Sequence, residues 1–440
     1  MKKNVEANLQ RRDFLKTSAV VAGGTLLSGM VVPGAYAAGN DVIKVAVIGC
    51  GGRGTGAAFD AIATGQNIKI VALADAFKDR LEECYNSLMN RHADKMAVGE
   101  DQKFVGFDAY KSAIPLADVV ILASSPGFRP MHFEEAVRLG KHVFMEKPVA
   151  VDVPGARKVL AAAQEAKRKK LNVVVGLQRR YQLNYREGVK RIQEGMLGDI
   201  VSGQVYWNSG GVWVRPRQAG QTEMEYQMRN WYYFNWLCGD HIVEQHVHQL
   251  DVANWVKGSY PVRFEGTGSR AWRTGKDHGE IYDNHTVEMT YADGSVIYSQ
   301  CRHFEGTSSR VDETFQGTKG SIYMSAGNRA TVKGLDGKIL FNHQGRNDAN
   351  PYQHEHVELF DSIAKGEYKH EDAEYGAYSS LTGIIGRLAT YSGKVIKWED
   401  ALNSNIDLMP ERLAWDALPK VLPKEDGFYP YAMPGQTVVI

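Results

Sequence analysis

The stretch 45–54 reads V-A-V-I-G-C-G-G-R-G. An apolar strand therefore runs straight into a G-x-G-x-x-G turn, with glycines at 49, 51 and 54. The three glycines serve different mechanical ends. Gly49 permits a tight turn, Gly51 lets backbone approach a pyrophosphate, and Gly54 lets a helix pack closely on the strand. Gly52 and Arg53 sit in the same loop, where the free N–H groups and positive dipole end of a helix would face phosphates. Asp75 closes the next apolar run, 68–74, 21 residues beyond Gly54. It is placed to accept hydrogen bonds from an adenosine ribose, which favours NAD over NADP. Strand, glycines, helix and acidic residue in that order predict a dinucleotide-binding βαβ unit.

The N-terminus reads as a processing signal over residues 1–37. Arg11-Arg12-Asp13-Phe14-Leu15-Lys16 is a twin-arginine core, followed by an apolar stretch at 19–32 and by Ala35-Tyr36-Ala37, a small-x-small cleavage pattern. The apolar stretch is short and glycine-containing, so processing rather than a lasting membrane span is expected, with the mature protein periplasmic or otherwise exported by the twin-arginine pathway. Twin-arginine export carries folded chains, so a nucleotide would be acquired before export and held tightly. What remains, about 400 residues, is enough for two domains with real cores. The net charge is +1 with both signs interspersed, which argues against a nucleic-acid partner. None of the four cysteines has zinc or C-x-x-C spacing, and all four read as free thiols.

From 38 to 165 strand signals (43–48, 68–74, 119–123, 142–145) alternate with helical stretches such as 80–90, 132–139 and 153–168. That alternation predicts a parallel Rossmann-type sheet. Ser124 and Ser125 stand at the carboxyl end of one such strand, where ligands bind in these sheets. A further strand is expected at 172–176. Beyond Gly198 the strand signals (200–207, 262–270, 286–291, 296–302, 311–317) are β-branched and aromatic, and 291–295 is a hairpin turn. Residues 166–402 are therefore expected to form an open-faced, mostly antiparallel α+β domain with helices at 354–363 and 379–391. The tail, 403–440, is proline-punctuated.

Glu146-Lys147-Pro148 follows the strand at 142–145. A lysine there can reach both a nicotinamide and a substrate hydroxyl, and its charge would favour loss of the hydroxyl proton. The second constellation lies at 239–251. On a continuous helix Glu244 and His248 share a face, so the carboxylate would fix the imidazole tautomer and raise its basicity. Asp251 could extend that chain of hydrogen bonds. His241, Glu244 and His248 also have the look of a metal-ligand face, but general-base chemistry is the stronger reading and no metal is expected. Between the two constellations lies a segment rich in tryptophan, tyrosine and arginine, Trp231 included. Such side chains stack on sugar rings and bind hydroxyls, and 208–220 reads as a loop at the pocket mouth.

Taken together, these motifs resemble the glucose–fructose oxidoreductase/inositol dehydrogenase family (Gfo/Idh/MocA). The resemblance covers about 43–402. It rests on the glycine fingerprint, on G-K-H-V-F-M-E-K-P at 140–148, on G-L-Q-R-R at 176–180, and on the helix ending His248-Gln249-Leu250-Asp251. It implies a Rossmann domain plus an open-faced sheet used for oligomerisation, with Lys147 as catalytic lysine, His248 as acid/base and a supporting carboxylate one turn earlier. Here Glu244 replaces the family's usual aspartate, and Cys238-Gly239-Asp240 replaces a run of glycines, so Asp240 and His241 are expected to add polar groups at the pocket floor. Arg179, Arg180 and Tyr181 fall in a segment that the resemblance places near substrate. The implied activity is NAD-dependent oxidation or reduction of a secondary hydroxyl of a sugar, glycoside or polyol by a homo-oligomer, dimer or tetramer. The alternatives are a glycosidase that borrows and returns a hydride, and a non-catalytic sugar-binding protein on the same fold.

Overall fold

The computed structural model describes residues 41–440. The twin-arginine core, the apolar stretch and the Ala35-Tyr36-Ala37 pattern lie outside them.

Six short apolar strands build the first sheet: β1 (Ile43–Ile48), β2 (Ile68–Asp75), β3 (Lys103–Val105), β4 (Val119–Leu122), β5 (His142–Met145) and β6 (Val173–Val175). They pair in parallel in the order β3-β2-β1-β4-β5-β6. The strands are buried on both faces, as Val45, Val120, Phe144 and Val174 illustrate, because helices cover both sides of a parallel sheet. The order reverses between β1 and β4, so their carboxyl ends splay apart and leave the crevice in which such sheets bind ligands. β6 lies past the expected domain boundary at 165, which falls inside the helix Val153–Arg168.

The second sheet has nine strands: β7 (Ile200–Ser209), β8 (Arg263–Ser269), β9 (Asn284–Thr290), β10 (Val296–His303), β11 (Arg310–Gly317), β12 (Gly320–Ser325), β13 (Arg329–Gly334), β14 (Ile339–Gln344) and β15 (Ile396–Lys397). All neighbours are antiparallel except β7 and β10. β9 and β10 are joined by the expected hairpin, in which the Tyr291 N–H donates to the Ser295 carbonyl at 2.9 Å and Gly294 takes φ +82°. One face packs the helices Leu183–Gln193, Val247–Lys257 and Ala373–Ser392 through Phe315, Ile297, Val205, Tyr185, Leu250 and Ile384. On the other face the alternating positions Tyr298 and Tyr323 are exposed.

The tail, 403–440, forms neither helix nor strand. It lies against the fold through buried Ala417, Tyr429 and Val439. No helix among the described residues is long and apolar enough to cross a membrane. Cys50, Cys84, Cys238 and Cys301 are all buried free thiols.

Phe315 is fully buried at the centre of the second sheet, against the Cα of Gly203 on β7. Phe315→Ala should lower unfolding free energy by about 3–5 kcal/mol, measured by denaturant titration. A loss near zero would mean that the second sheet does not unfold together with the rest.

Candidate active site

The carboxyl ends of β1, β4 and β5 open into a cleft of about 720 Å³, closed from the other side by residues of the second domain. Gly49 takes φ +95°, and a Cβ there would stand 2.3 Å from the Ser124 amide nitrogen. A Cβ on Gly54 would meet the Gly49 carbonyl at 1.8 Å. Both positions are closed to side chains by backbone. Gly51 differs: a Cβ there would meet nothing within 4 Å, because its Cα faces the cleft. Gly51 also precedes the helix Gly52–Ile62, whose N-terminus has no side-chain cap. Free amide N–H groups, a dipole end and open space at one point are the requirements of a pyrophosphate. The residues therefore fit a dinucleotide.

Asp75 anchors the far side of this turn. Its Oδ2 accepts from Cys50 N at 2.6 Å and its Oδ1 from Phe77 N at 2.8 Å. Burial raises its pKa, with the two amide bonds opposing. Arg53 leaves the glycine loop to pair with Glu146, and its guanidinium lies over the Tyr352 ring at 5.1 Å. Burial alone would lower the Arg53 pKa, but the Glu146 and Glu355 carboxylates raise it overall and hold the charge. Arg129 donates to the carbonyls of Ser124 and Pro148, tying the ends of β4 and β5 together. Ser124, Ser125 and Glu146 line the cleft at the same level.

Lys147 follows β5, and the Lys147–Pro148 peptide is cis. Its Nζ donates to the Glu244 backbone carbonyl at 2.5 Å and to Glu244 Oε1 at 3.0 Å. An ammonium has three donors, so one remains for a ligand oxygen. The expected pairing of Glu244 with His248 is therefore corrected. The chain does not continue as one helix from 241 to 257: Glu244 ends the short helix His241–Glu244, and His248 belongs to Val247–Lys257. The break at Gln245–His246 turns Glu244 toward Lys147, and His248 Nδ1 has no hydrogen-bond partner. The His248 ring is held instead by stacking on Trp207, with centroids 5.8 Å apart and planes 21° apart. Burial, with Lys147 and Arg179 nearby, pushes the His248 pKa well below the ordinary imidazole range. The ring is neutral and able to accept a proton.

Five expected substrate contacts lie outside the cleft lining, because each is consumed by a buried partner. Arg179 pairs with Glu313 at 2.5 Å, and Arg180 grips Asp251 with two nitrogens at 2.8–2.9 Å. Asp251 is thus spent on Arg180 and Ser379 rather than on His248. Tyr181 donates to Asp372 at 2.6 Å. Asp240 and His241 are fully buried, with Oδ1 and Nδ1 2.9 Å apart, and both face His285 instead of the cleft. His241 therefore does not share a face with Glu244 and His248. Trp231 does line the cleft, with Trp207, Trp213, Arg215 and Arg229. Trp213 and Trp231 meet edge to face at 5.8 Å, and Arg215 covers Trp213. The loop after β7 thus forms an aromatic wall, whereas Tyr226, Tyr233 and Trp236 of the same segment are core. Sequence reasoning missed Arg129, His132, Gln178 and Tyr352 in the lining. Arg129 had a signal, since it closely follows the strand-end serines; Tyr352 had none.

The sequence profile described as an oxidoreductase family with an NAD-binding Rossmann fold matches residues 43–175. That of the GFO/IDH/MocA C-terminal domain matches 185–323, and that of a twin-arginine translocation signal matches 8–28. Inositol 2-dehydrogenase of Rhizobium meliloti is 23% identical, over 60% of this chain and 69% of its own length. The scyllo-inositol 2-dehydrogenase (NAD(+)) of Bacillus subtilis is 22% identical over 74% and 78%. A glycosyl hydrolase family 109 protein of Shewanella baltica is 24% identical, but the match spans only half of either chain (51% and 50%). Among solved structures, a levoglucosan dehydrogenase complexed with NADH and levoglucosan superposes with TM-score 0.64 at 17% identity, covering 81% of this chain and 99% of that one. The aldose–aldose oxidoreductase of Caulobacter crescentus gives 0.63 at 18%, covering 81% and 100%. Fold and site define a nicotinamide-dependent oxidoreductase of CH–OH groups that is exported by the twin-arginine pathway. The chain belongs to the Gfo/Idh/MocA family.

The two glycines make a paired test. Gly51→Ala, whose methyl meets only cleft, should leave the melting temperature unchanged while weakening NAD binding at least about tenfold, or ~1.4 kcal/mol. Gly54→Ala, whose methyl meets backbone, should lower the melting temperature. Titration calorimetry with NAD and thermal denaturation check both; equal effects of the two substitutions would contradict the placement of the pyrophosphate.

Proposed function

We propose that this protein oxidises or reduces a secondary hydroxyl of a sugar, glycoside or polyol in the periplasm, with an NAD that stays bound through turnover. The observation that supports this most is the meeting of Lys147 and His248 in one cleft, beside a glycine turn that suits a pyrophosphate. Gly49, Gly51, Gly52, Arg53, Asp75, Ser124, Ser125 and Glu146 hold the nucleotide in this reading, with Gly54 setting the turn. Asp75 makes NAD preferred over NADP. When bound, the nicotinamide accepts or returns the hydride. The protein's own groups handle the proton and the developing charge.

In the oxidation direction the neutral His248 imidazole takes the hydroxyl proton. The remaining N–H of Lys147 donates to the oxygen as it becomes alkoxide-like, and a charged donor in a half-buried site stabilises that oxygen more than the parent hydroxyl. Glu244 holds Lys147 in position. Trp231, Trp213 and Trp207 offer flat faces to a sugar ring. The four segments read from the sequence (1–37, 38–165, 166–402, 403–440) enter this proposal with the first sheet extended to β6. We include in it a dimer or tetramer formed through the helix-free face of the second sheet, where Tyr298 and Tyr323 lie exposed.

One observation favours a second reading. The half-length similarity to a glycosyl hydrolase family 109 protein is compatible with removal of a hydride, elimination of the aglycone together with a neighbouring C–H proton, addition of water across the double bond left behind, and return of the hydride. Net products separate the two: a keto-sugar marks the oxidoreductase, and a free aglycone with unchanged cofactor marks the glycosidase.

Lys147→Ala and His248→Ala should each lower kcat by about 10²–10⁴-fold while nucleotide stays bound. Nucleotide loss in the His248 variant would make that residue structural. The depressed His248 pKa also fixes a sign: the ring stays deprotonated as pH falls through the ordinary value of about 6.5. The acid limb of kcat/KM against pH should therefore lie below that value, and a limb at or above it would remove His248 as the base.

A further inference from the structure

Asp240, His241 and His285 form a second polar cluster, fully buried and outside the cleft lining. Three features of it are unusual together. Asp240 has φ +75° and ψ +161°, a backbone region that is essentially glycine's alone. A side chain held there marks a position that the surrounding structure must enforce. One carboxylate oxygen, Oδ1, accepts from the His241 amide and also faces two imidazoles: it lies 2.9 Å from His241 Nδ1 and 3.2 Å from His285 Nε2. The other oxygen, Oδ2, is held by the Tyr282 amide at 3.0 Å and the Tyr391 hydroxyl at 2.5 Å.

The second feature is the orientation of His285. Its Nδ1 lies 2.9 Å from Thr390 Oγ1, and the Thr390 hydroxyl donates its proton to the Arg387 carbonyl at 3.0 Å. Thr390 Oγ1 is then left to accept, so Nδ1 carries the hydrogen and Nε2 of a neutral ring presents a lone pair toward Asp240. Nε2 has no hydrogen-bond partner despite its approach to Oδ1. A lone pair facing a buried carboxylate is repulsive unless a proton or a metal ion lies between them, and with Nδ1 carrying the hydrogen of a neutral ring no proton is left for Nε2. An outer hydroxyl fixing the tautomer of a histidine by its far nitrogen is the arrangement that metal-binding imidazoles use.

The third feature is spacing. The three donor atoms all lie within 4.8 Å of one another. A tetrahedral zinc with bonds of about 2.0–2.1 Å sets its ligands about 3.3 Å apart, close to the two separations measured at Oδ1. Cys301 lies directly across the β9–β10 ladder from His285, but its thiol is not among the donors that lie within 4.8 Å of one another.

We propose that Asp240, His241 and His285 bind one divalent transition metal, zinc by donor type, as a structural staple. It joins β9 to the turn before the helix His241–Glu244, the helix whose last residue holds Lys147. Two imidazoles and a carboxylate suit zinc rather than magnesium or calcium, and complete burial suits a metal taken up as the chain folds. The proposal does not depend on the reaction assigned to the cleft.

The test is metal analysis of the full-length protein made in zinc-supplemented medium, by plasma mass spectrometry, with wild type also unfolded and refolded in cobalt(II). The expected result is about one metal per chain in wild type and the visible bands of tetrahedral cobalt after refolding. Metal content should fall at least about tenfold in Asp240→Asn and His285→Gln and stay unchanged in His248→Ala. Wild type that folds and binds NAD with no metal under either condition would overturn the site. So would metal content that survives both cluster substitutions, or that is lost only with His248. The wild-type measurements decide the matter even if the buried variants fail to fold.

Discussion

The contact on which the site depends is the bridge from Lys147 to Glu244. One partner ends a strand of the parallel sheet, and the other ends a short helix attached to the antiparallel sheet. The ammonium is bonded twice, to the Glu244 side chain at 3.0 Å and to its main-chain carbonyl at 2.5 Å. Both side chains are mostly buried, and a charge withdrawn from water must be paired to be tolerated. Neither domain could bury its half alone. The bridge therefore fixes the width of the cleft and the direction of the one lysine donor left over.

Arginines extend this coupling to the nucleotide side. Arg53 runs from the glycine loop to Glu146, the residue before Lys147, and rests on Tyr352 from the C-terminal half of the chain. Arg129 clamps the ends of β4 and β5 through two carbonyls, and burial holds its own pKa down to about 10. The glycine turn, the lysine and the imidazole are thus held by side chains that bridge distant parts of the chain. Preorganisation of this kind lets a charged donor act on a developing alkoxide without reorganising first.

Local patterns made the frame legible. Apolar runs closed by glycine, serine or an acidic residue marked β1, β2, β4 and β5, and the helix Val153–Arg168 was bounded correctly by its composition. Strands β12 to β14 were missed because their outward positions, such as Arg329, Lys333 and Asn342, dilute the apolar alternation on a sheet with one open face. Part of the cleft lining was legible in its residue types, but the pairings were not. Glu244 and His248 have helical spacing, yet the helix breaks between them at Gln245–His246, where the His246 ring turns inward to Ser299. Arg179, Arg180 and Tyr181 looked available because their carboxylate partners, Glu313, Asp251 and Asp372, are between 71 and 191 residues away in sequence. No local pattern carries that information.

The central claim is that the cleft holds NAD through turnover on a sugar-like alcohol. The direct test is to purify the protein from the exported fraction, denature it, and identify the released nucleotide by mass before and after exposure to a panel of sugars, glycosides and polyols. The account predicts stoichiometric NAD, converted to NADH by at least one member of the panel with a keto product. Protein that carries no nucleotide, or NAD that no member reduces while a free aglycone accumulates, would contradict it.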